Sequence, residues 1–125
     1  MLPYMSQGAA MAVEDGAALA IALDHISVLD EMPFALRVFE AERIKRSGAM
    51  MDASSMNGLI WHFPDGPEQR ARDESMTAEV AGLPFTHSAN QWSDPVTCWW
   101  AFGYDAEEAM AQAWRRASSN RPAKC

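Results

Sequence analysis

The residues best suited to chemistry lie near the N-terminus, in a short turn that leads into an alanine-rich helix. Pro3 fixes its own backbone angle φ, and Ser6 is a good residue for starting a helix. Gly8 lets a planar group or a phosphate approach the main chain closely. The first turn of a helix carries unpaired N–H groups and a partial positive charge, which suit an anion or an electron-rich ring edge. Taken alone, however, such a pattern is more typical of a helix start without a ligand.

The other residues that often carry chemistry do not form a recognisable site. His25, His62 and His87 are 37 and 25 residues apart, so no pair has the spacing of metal ligands, and the cysteines do not complete a set. No serine or cysteine lies in a nucleophile motif. Cys98 and Cys125 form no disulfide framework, and we interpret them as reduced thiols. We therefore predict no metal site and no nucleophilic catalysis.

The aromatic and charged residues also have a structural interpretation that is more common than a functional one. All five tryptophans lie between residues 61 and 114, where a ligand cage is conceivable but helix packing is the more common role. Residues 40–46 form a charged cluster that is typical of a solvated helix face, and Asp15 is expected to be a solvated helix residue too. Glu42 and Arg46 are spaced for a favourable ion pair along that face.

Hydrophobic periodicity and turn residues predict an all-α chain with no convincing alternating strand. In the first helix one face carries small side chains that permit very close packing on a neighbour: Ala9, Ala12, Val13, Gly16, Ala20 and Leu23. Asp94 and Asp105 are expected to cap the last two helices, and residues 54–58 are expected to thin or end the second. The helices are predicted over residues 7–23, 33–59, 68–76, 96–102 and 106–116, with a turn at 64–67 and a loop at 81–93.

Length and charge limit the classes of function. A chain of 125 residues makes one domain at most. Its net charge of −7 argues against nucleic acid and against an anionic membrane surface. The apolar run 17–23 is too short to span a bilayer, and no basic residue precedes it as in a secretory signal. These observations favour a cytoplasmic location.

Four segments carry a resemblance to a known family. Residues 3–10 with 14–17 resemble the second flavin-contacting motif of the FAD-dependent aromatic hydroxylases, the flavin monooxygenases of the salicylate hydroxylase type. Residues 39–43 with Arg46 resemble that family's helix with an acidic residue and paired arginines. Residues 57–69 resemble its N-G…Y-H-x-P-D-G-P-x-Q segment, and residues 99–106 its W-L-x-x-Y-D-A ending.

The resemblance implies the C-terminal part of an enzyme that uses FAD and NAD(P)H to hydroxylate a small aromatic substrate. Residues 1–117 would be an incomplete helical portion flanking the FAD-binding α/β domain, and residues 118–125 a disordered tail. The amides near Gly8 would face the N1 and C2 carbonyl edge of the flavin ring, and Pro3 would lie beside the face on which oxygen reacts. The implied cofactor-binding residues are Pro3, Gln7, Gly8, Ala9 and Ala10.

The family's dinucleotide-binding G-x-G-x-x-G and its Gly-Asp segment are not found in this sequence. We therefore expect the isolated chain to bind FAD weakly or not at all. An alternative hypothesis is a non-catalytic helical interaction module that self-associates through exposed apolar helix faces, as its nine methionines and five tryptophans suggest.

Overall fold

A computed structural model describes residues 1–121, and these residues contain helices and no strand, so the all-α prediction is confirmed. Two short 3₁₀ turns, Pro3–Met5 and Leu29–Glu31, precede the first and second helices. The six α-helices of the described residues are α1 (Gly8–Asp24), α2 (Met32–Trp61), α3 (Pro67–Ser75), α4 (Thr77–Val80), α5 (Pro95–Phe102) and α6 (Ala106–Ser119).

Capping explains why the last two helices begin where the sequence predicts. The Asp94 carboxylate accepts the N–H of Thr97 at 2.9 Å, and the Asp105 carboxylate accepts the N–H of Glu108 at 2.9 Å. Each bond satisfies one of the N–H groups that a helix start leaves unpaired.

Other boundaries differ from the prediction. α2 continues through residues 54–58 to Trp61, so the helix does not end in that segment. α4 was not predicted, and α6 runs to Ser119, so the first residues of the predicted tail are helical. Residues 122–125, including Cys125, lie outside the described part of the chain.

The described residues form two compact units. The bundle unit comprises residues 8–49 and 105–121, and the loop unit comprises residues 1–7 and 50–104. In the bundle unit the core is made of small or flexible side chains from α1, α2 and α6: Ala18, Ala22, Val38, Met110 and Ala113. Because three of these residues are alanines, the α1 and α6 backbones approach closely.

The small-residue face predicted for close packing is not the buried face of α1. Ala9, Ala12 and Gly16 are exposed, and Val13 keeps 74% of its surface accessible. The buried face consists of Met11, Ala18 and Ala22. Both faces of α1 are apolar and have similar periodicity. Which of the two is buried therefore depends on the helices that pack against α1.

In the loop unit, one carboxylate organises the long segment between α4 and α5. Glu79 accepts hydrogen bonds from the Ser88 hydroxyl at 2.7 Å and from the Asn90 amide at 2.8 Å. Hydrogen bonds from Ser93, Ser88 and Asn90 hold the pKa of Glu79 below its ordinary value. Within residues 1–121, no helix combines the length and the hydrophobicity needed to cross a membrane.

Candidate functional site

The turn that contains Pro3 is a tight 3₁₀ turn closed by Ser6. The Ser6 N–H donates to the Pro3 carbonyl at 2.9 Å, and the Ser6 hydroxyl approaches the same oxygen at 3.4 Å. Ser6 has φ 49° and ψ 26°, a left-handed conformation that is uncommon outside glycine. Both of these bonds of Ser6 therefore serve the Pro3 turn, whereas the sequence predicted that this residue caps α1.

Two buried polar side chains of α2 hold this turn within the loop unit. The Ser54 hydroxyl donates to the Leu2 carbonyl, and the Asn57 amide donates to the Tyr4 carbonyl at 2.7 Å. Both Ser54 and Asn57 are fully buried. Sequence analysis missed their role, although a cluster of serine, asparagine and glycine inside a helix is the signal that could have revealed it.

Gly58 and His62 complete the contact with Tyr4. A Cβ atom on Gly58 would lie 2.7 Å from two carbon atoms of the Tyr4 ring, so only glycine fits there. The Tyr4 and His62 rings meet edge to face at 5.4 Å, and His62 Nδ1 lies 2.7 Å from the Gly58 carbonyl. The turn is thus fixed by both hydrogen bonds and ring packing.

One buried acceptor beside this turn is unsatisfied. Asn57 uses its Nδ2 on Tyr4, while its Oδ1 has no hydrogen-bond partner among the described residues. A buried polar atom without a partner costs about 1–3 kcal/mol, so such an acceptor marks a place where a water or a ligand N–H is favourable.

The remaining predicted binding residues surround the start of α1. Gln7, the last residue of the loop unit, is buried, whereas Gly8 and Ala9 are exposed and Ala10 is half-buried. α1 begins at Gly8, so the amides of residues 8–10 lie in the first turn, where a helix offers them no acceptor. A Cβ on Gly8 would meet nothing within 4 Å. The surroundings of Gly8 therefore have room for a flat group to approach the backbone.

The most strongly charged feature of the bundle unit is an acid–arginine cluster, formed by Glu14, Asp15, Arg43 and Arg46. Arg43 lies 2.9 Å from Glu14 and 2.6 Å from Asp15, and Arg46 lies 3.0 Å from Glu14. The two arginines are only 4% and 5% exposed. The prediction that these arginines belong to a solvated face is therefore wrong. Asp15 was expected to be a solvated helix residue, and its side chain is 49% exposed although it pairs with Arg43.

Charge balance explains how the cluster tolerates burial. Burial alone would lower the pKa of Arg43, but hydrogen bonds to Asp15 and Glu14 and their negative charges more than offset it, so the pKa is raised. Two acids facing two arginines leave no net charge, which is the condition under which buried ions are tolerated. The cluster ties the second turn of α1 to the middle of α2.

The tryptophans divide into two groups. Trp114 packs as predicted, stacked on His25 at 5.0 Å and edge-on to Phe34 at 5.2 Å in the bundle unit. Trp99 in the loop unit is 79% exposed, so the packing prediction is wrong for this residue.

Comparison with known proteins identifies several relatives with related names. The chain is 39% identical over 106 residues to the FAD-dependent monooxygenase OpS4 of Beauveria bassiana, a match that covers 85% of this chain and 24% of the relative. It is 48% identical over 80 residues to the 3-amino-4-hydroxybenzoate 2-monooxygenase PtmB3 of Streptomyces platensis, covering 63% of this chain and 20% of the relative.

A third relative, the 3-amino-4-hydroxybenzoate 2-monooxygenase of Streptomyces cremeus, is 31% identical over 109 residues, which are 84% of this chain and 23% of that protein. No family model matches the chain. The chain spans about a quarter or less of the length of these relatives.

Proposed function

The chain belongs to the FAD-dependent monooxygenases, and we propose that it supplies one wall of the flavin site in such an enzyme. In this proposal Pro3 lies beside the flavin ring, and the amides of Gly8, Ala9 and Ala10 face the edge of the ring that gains negative charge on reduction. Gln7 joins these two parts of the segment. The observation that carries the proposal is the open first turn of α1, where a Cβ built on Gly8 would meet no atom within 4 Å, so space for a ring is left beside the amides.

A further observation supports the fit. The Pro3 turn is held rigidly by the buried Ser54 and Asn57, as a binding wall must be. Bound FAD would supply the redox and oxygen chemistry. This chain would contribute fixed amide dipoles and a preorganised turn.

We propose an aromatic substrate and NAD(P)H as the reductant for the whole enzyme. The names of two relatives specify 3-amino-4-hydroxybenzoate, a small aromatic acid, as the compound on which those relatives act. The proposal extends to a cytoplasmic location, where a free thiol such as Cys98 stays reduced. It also extends to residues 1–117 as an incomplete helical portion of the FAD-binding domain, which α6 continues to Ser119.

A chimera tests this proposal. This chain would replace the matching segment of the Beauveria bassiana relative, and bound FAD would be measured by absorbance after gel filtration, together with NAD(P)H oxidation. Gly8→Val is expected to lower FAD affinity by about tenfold or more, because its side chain occupies the space beside the amides. Gly48→Val is the matched control, since Gly48 lies in the same unit, outside the segments that resemble the flavin motif, and also has no atom within 4 Å of an added Cβ.

Equal FAD content in the two variants would show that the start of α1 does not meet the flavin. A folded chimera that retains no FAD would contradict the proposal as a whole. The isolated chain is expected to lose added FAD during gel filtration, and stoichiometric retention would refute that expectation.

A second candidate function is self-association as a helical interaction module. It is favoured by one side of α5, where Val96, Trp99 and Phe102 are spaced three residues apart and are 61%, 79% and 60% exposed. Apolar side chains this exposed are typical of an interaction surface. Sedimentation equilibrium of the chain, compared with its Trp99→Ser variant, tests this candidate. A wild-type chain that stays monomeric at high concentration would exclude it.

A further inference from the structure

A groove in the bundle unit has the features of a second, independent binding site. It lies between α2 and α6, has a volume of about 330 Å³, and shares no residue with the segment proposed to meet the flavin. This volume is at the small end of the range of about 300–1,000 Å³ that ligand pockets occupy. On the α2 side it is lined by Phe34, Arg37, Val38, Ala41, Glu42 and Lys45, and on the α6 side by Ala113, Arg116, Ala117 and Asn120.

Small side chains create the groove. α6 packs closely on α1, while α2 and α6 present alanines to the space between them. Ala41, Ala113 and Ala117 fill little of that space, and Phe34 and Val38 add apolar surface beside them. The groove is therefore mainly apolar along its length.

The groove is lined by more cationic than anionic side chains. Glu42 is the only acid that lines it within the described residues, and it lies 3.6 Å from Arg116 and 3.7 Å from Lys45. Arg37 makes no ion pair or side-chain hydrogen bond with any residue of 1–121. A surplus of cations stands out on a chain whose net charge is −7. An anionic group entering the groove would meet Arg37 without having to displace an acid from it.

We propose that this groove binds small organic carboxylates that carry an apolar chain or ring. The carboxylate would pair with Arg37, which can donate two parallel hydrogen bonds to it, and the apolar part would lie against Phe34, Val38 and Ala117. Inorganic anions would leave the apolar surface uncovered, and apolar cations would be repelled by the surplus positive charge. Binding therefore requires both parts of the ligand.

Titration of the 125-residue chain with octanoate tests the proposal, with chemical shifts of backbone amides and calorimetry as readouts. Octanoate has about ten non-hydrogen atoms, for which a Kd in the millimolar range or tighter is expected. The shifts should be largest at residues 34–45 and 113–120. Octylammonium and inorganic phosphate are the comparison probes, and both should bind at least about fivefold more weakly.

Three variants identify the residues responsible. Arg37→Gln should weaken octanoate about three- to fivefold, the effect of losing one exposed charge pair. Arg115→Gln is the matched control, because it removes the same charge from α6 at a residue that pairs with Glu108 and does not line the groove. Ala41→Leu should abolish binding by filling the groove, and since Ala41 is exposed, circular dichroism should show an unchanged fold.

Equal weakening by Arg37→Gln and Arg115→Gln would overturn the proposal, because it would indicate attraction to net charge alone. Octylammonium binding as tightly as octanoate, or shifts that spread over the loop unit, would overturn it too. Failure of this titration leaves the flavin proposal untouched, since that proposal is tested by FAD content.

Discussion

Replacing Glu14 with glutamine should destabilise the bundle unit more than any other single charge removal in α1. Glu14 accepts from Arg43 at 2.9 Å and from Arg46 at 3.2 and 3.0 Å, so one carboxylate serves two buried guanidinium groups. Glutamine keeps one acceptor oxygen but places an N–H₂ group against the arginines. The variant therefore leaves two buried guanidinium groups facing one carboxylate, that of Asp15, within the cluster.

The structure sets the size of the effect. Removing one partner of a buried ion pair costs about 3–5 kcal/mol. The Glu14 side chain is 15% exposed and glutamine retains one acceptor, so we expect the lower end, about 3 kcal/mol. A unit of about 60 residues has a total stability of about 3–9 kcal/mol, so this loss is a large fraction of it.

Asp15→Asn is the matched control. Asp15 is the next residue and pairs with the same Arg43 at 2.6 Å, but its side chain is 49% exposed. Because solvent screens this pair, its removal should cost less than about 1 kcal/mol. The two acids thus differ in burial while sharing a helix, a partner and the type of substitution.

Urea unfolding followed by far-ultraviolet circular dichroism measures both variants. With an m value of about 2 kcal/mol/M, Glu14→Gln should lower the midpoint by about 1.5 M, and Asp15→Asn by less than about 0.5 M. The cost of Glu14→Gln should shrink in an Arg46→Met background, because the cluster then keeps one arginine facing one carboxylate and its charge is balanced again. Equal urea midpoints for the two single variants would refute the reasoning that burial determines how much each ion pair of this cluster contributes to stability.

Three further predictions concern packing and pH. Met110→Ala should cost about 2–5 kcal/mol in urea unfolding, because Met110 is fully buried. Gly48→Ala should stabilise α2 by up to about 1 kcal/mol, since an added Cβ meets nothing within 4 Å, whereas Gly58→Ala should not, because it meets the Tyr4 ring. Burial would raise the pKa of Asp94, but hydrogen bonds from Thr97 and Ser88 and the nearby His87 lower it overall. The stability that Asp94 contributes should be complete above its ordinary pKa of about 3.9 and be lost as the pH falls below it, and Asp94→Asn should remove this dependence in melts at pH 3 and pH 6.

Local signals in the sequence were sufficient to predict five of the six helices of the described residues. Helix starts and turns depend on residues that are close in the sequence. Examples are Asp94-Pro95 at the start of α5, Asp105 at the start of α6, and the turn at 64–67. Their effect can therefore be deduced without the tertiary structure. α4 was missed because four residues give too short a pattern to detect. The helical class of the chain follows from these local rules.

Contacts over long distances in the sequence could not be deduced in this way. Arg43 lies 28 residues from Asp15, and no periodicity in either helix indicates that the charged faces meet. A cluster of acids and bases on one helix normally indicates a solvent-exposed face. Here the arginines of that cluster are buried because the acids of α1 face them. The same holds for Asn57, which lies 53 residues from the carbonyl that it binds.

Two glycines show how a requirement of the fold can be separated from a requirement of a ligand. Gly58 is needed by the chain itself, because an added Cβ would collide with the Tyr4 ring at 2.7 Å. Gly8 is not needed by the chain, because an added Cβ meets nothing and its φ lies outside the left-handed region. A larger side chain at residue 58 should therefore lower the free energy of unfolding of the isolated chain. A larger side chain at residue 8 should leave the stability of the isolated chain unchanged and lower FAD binding in the chimera, and that difference would place the flavin contact at the start of α1.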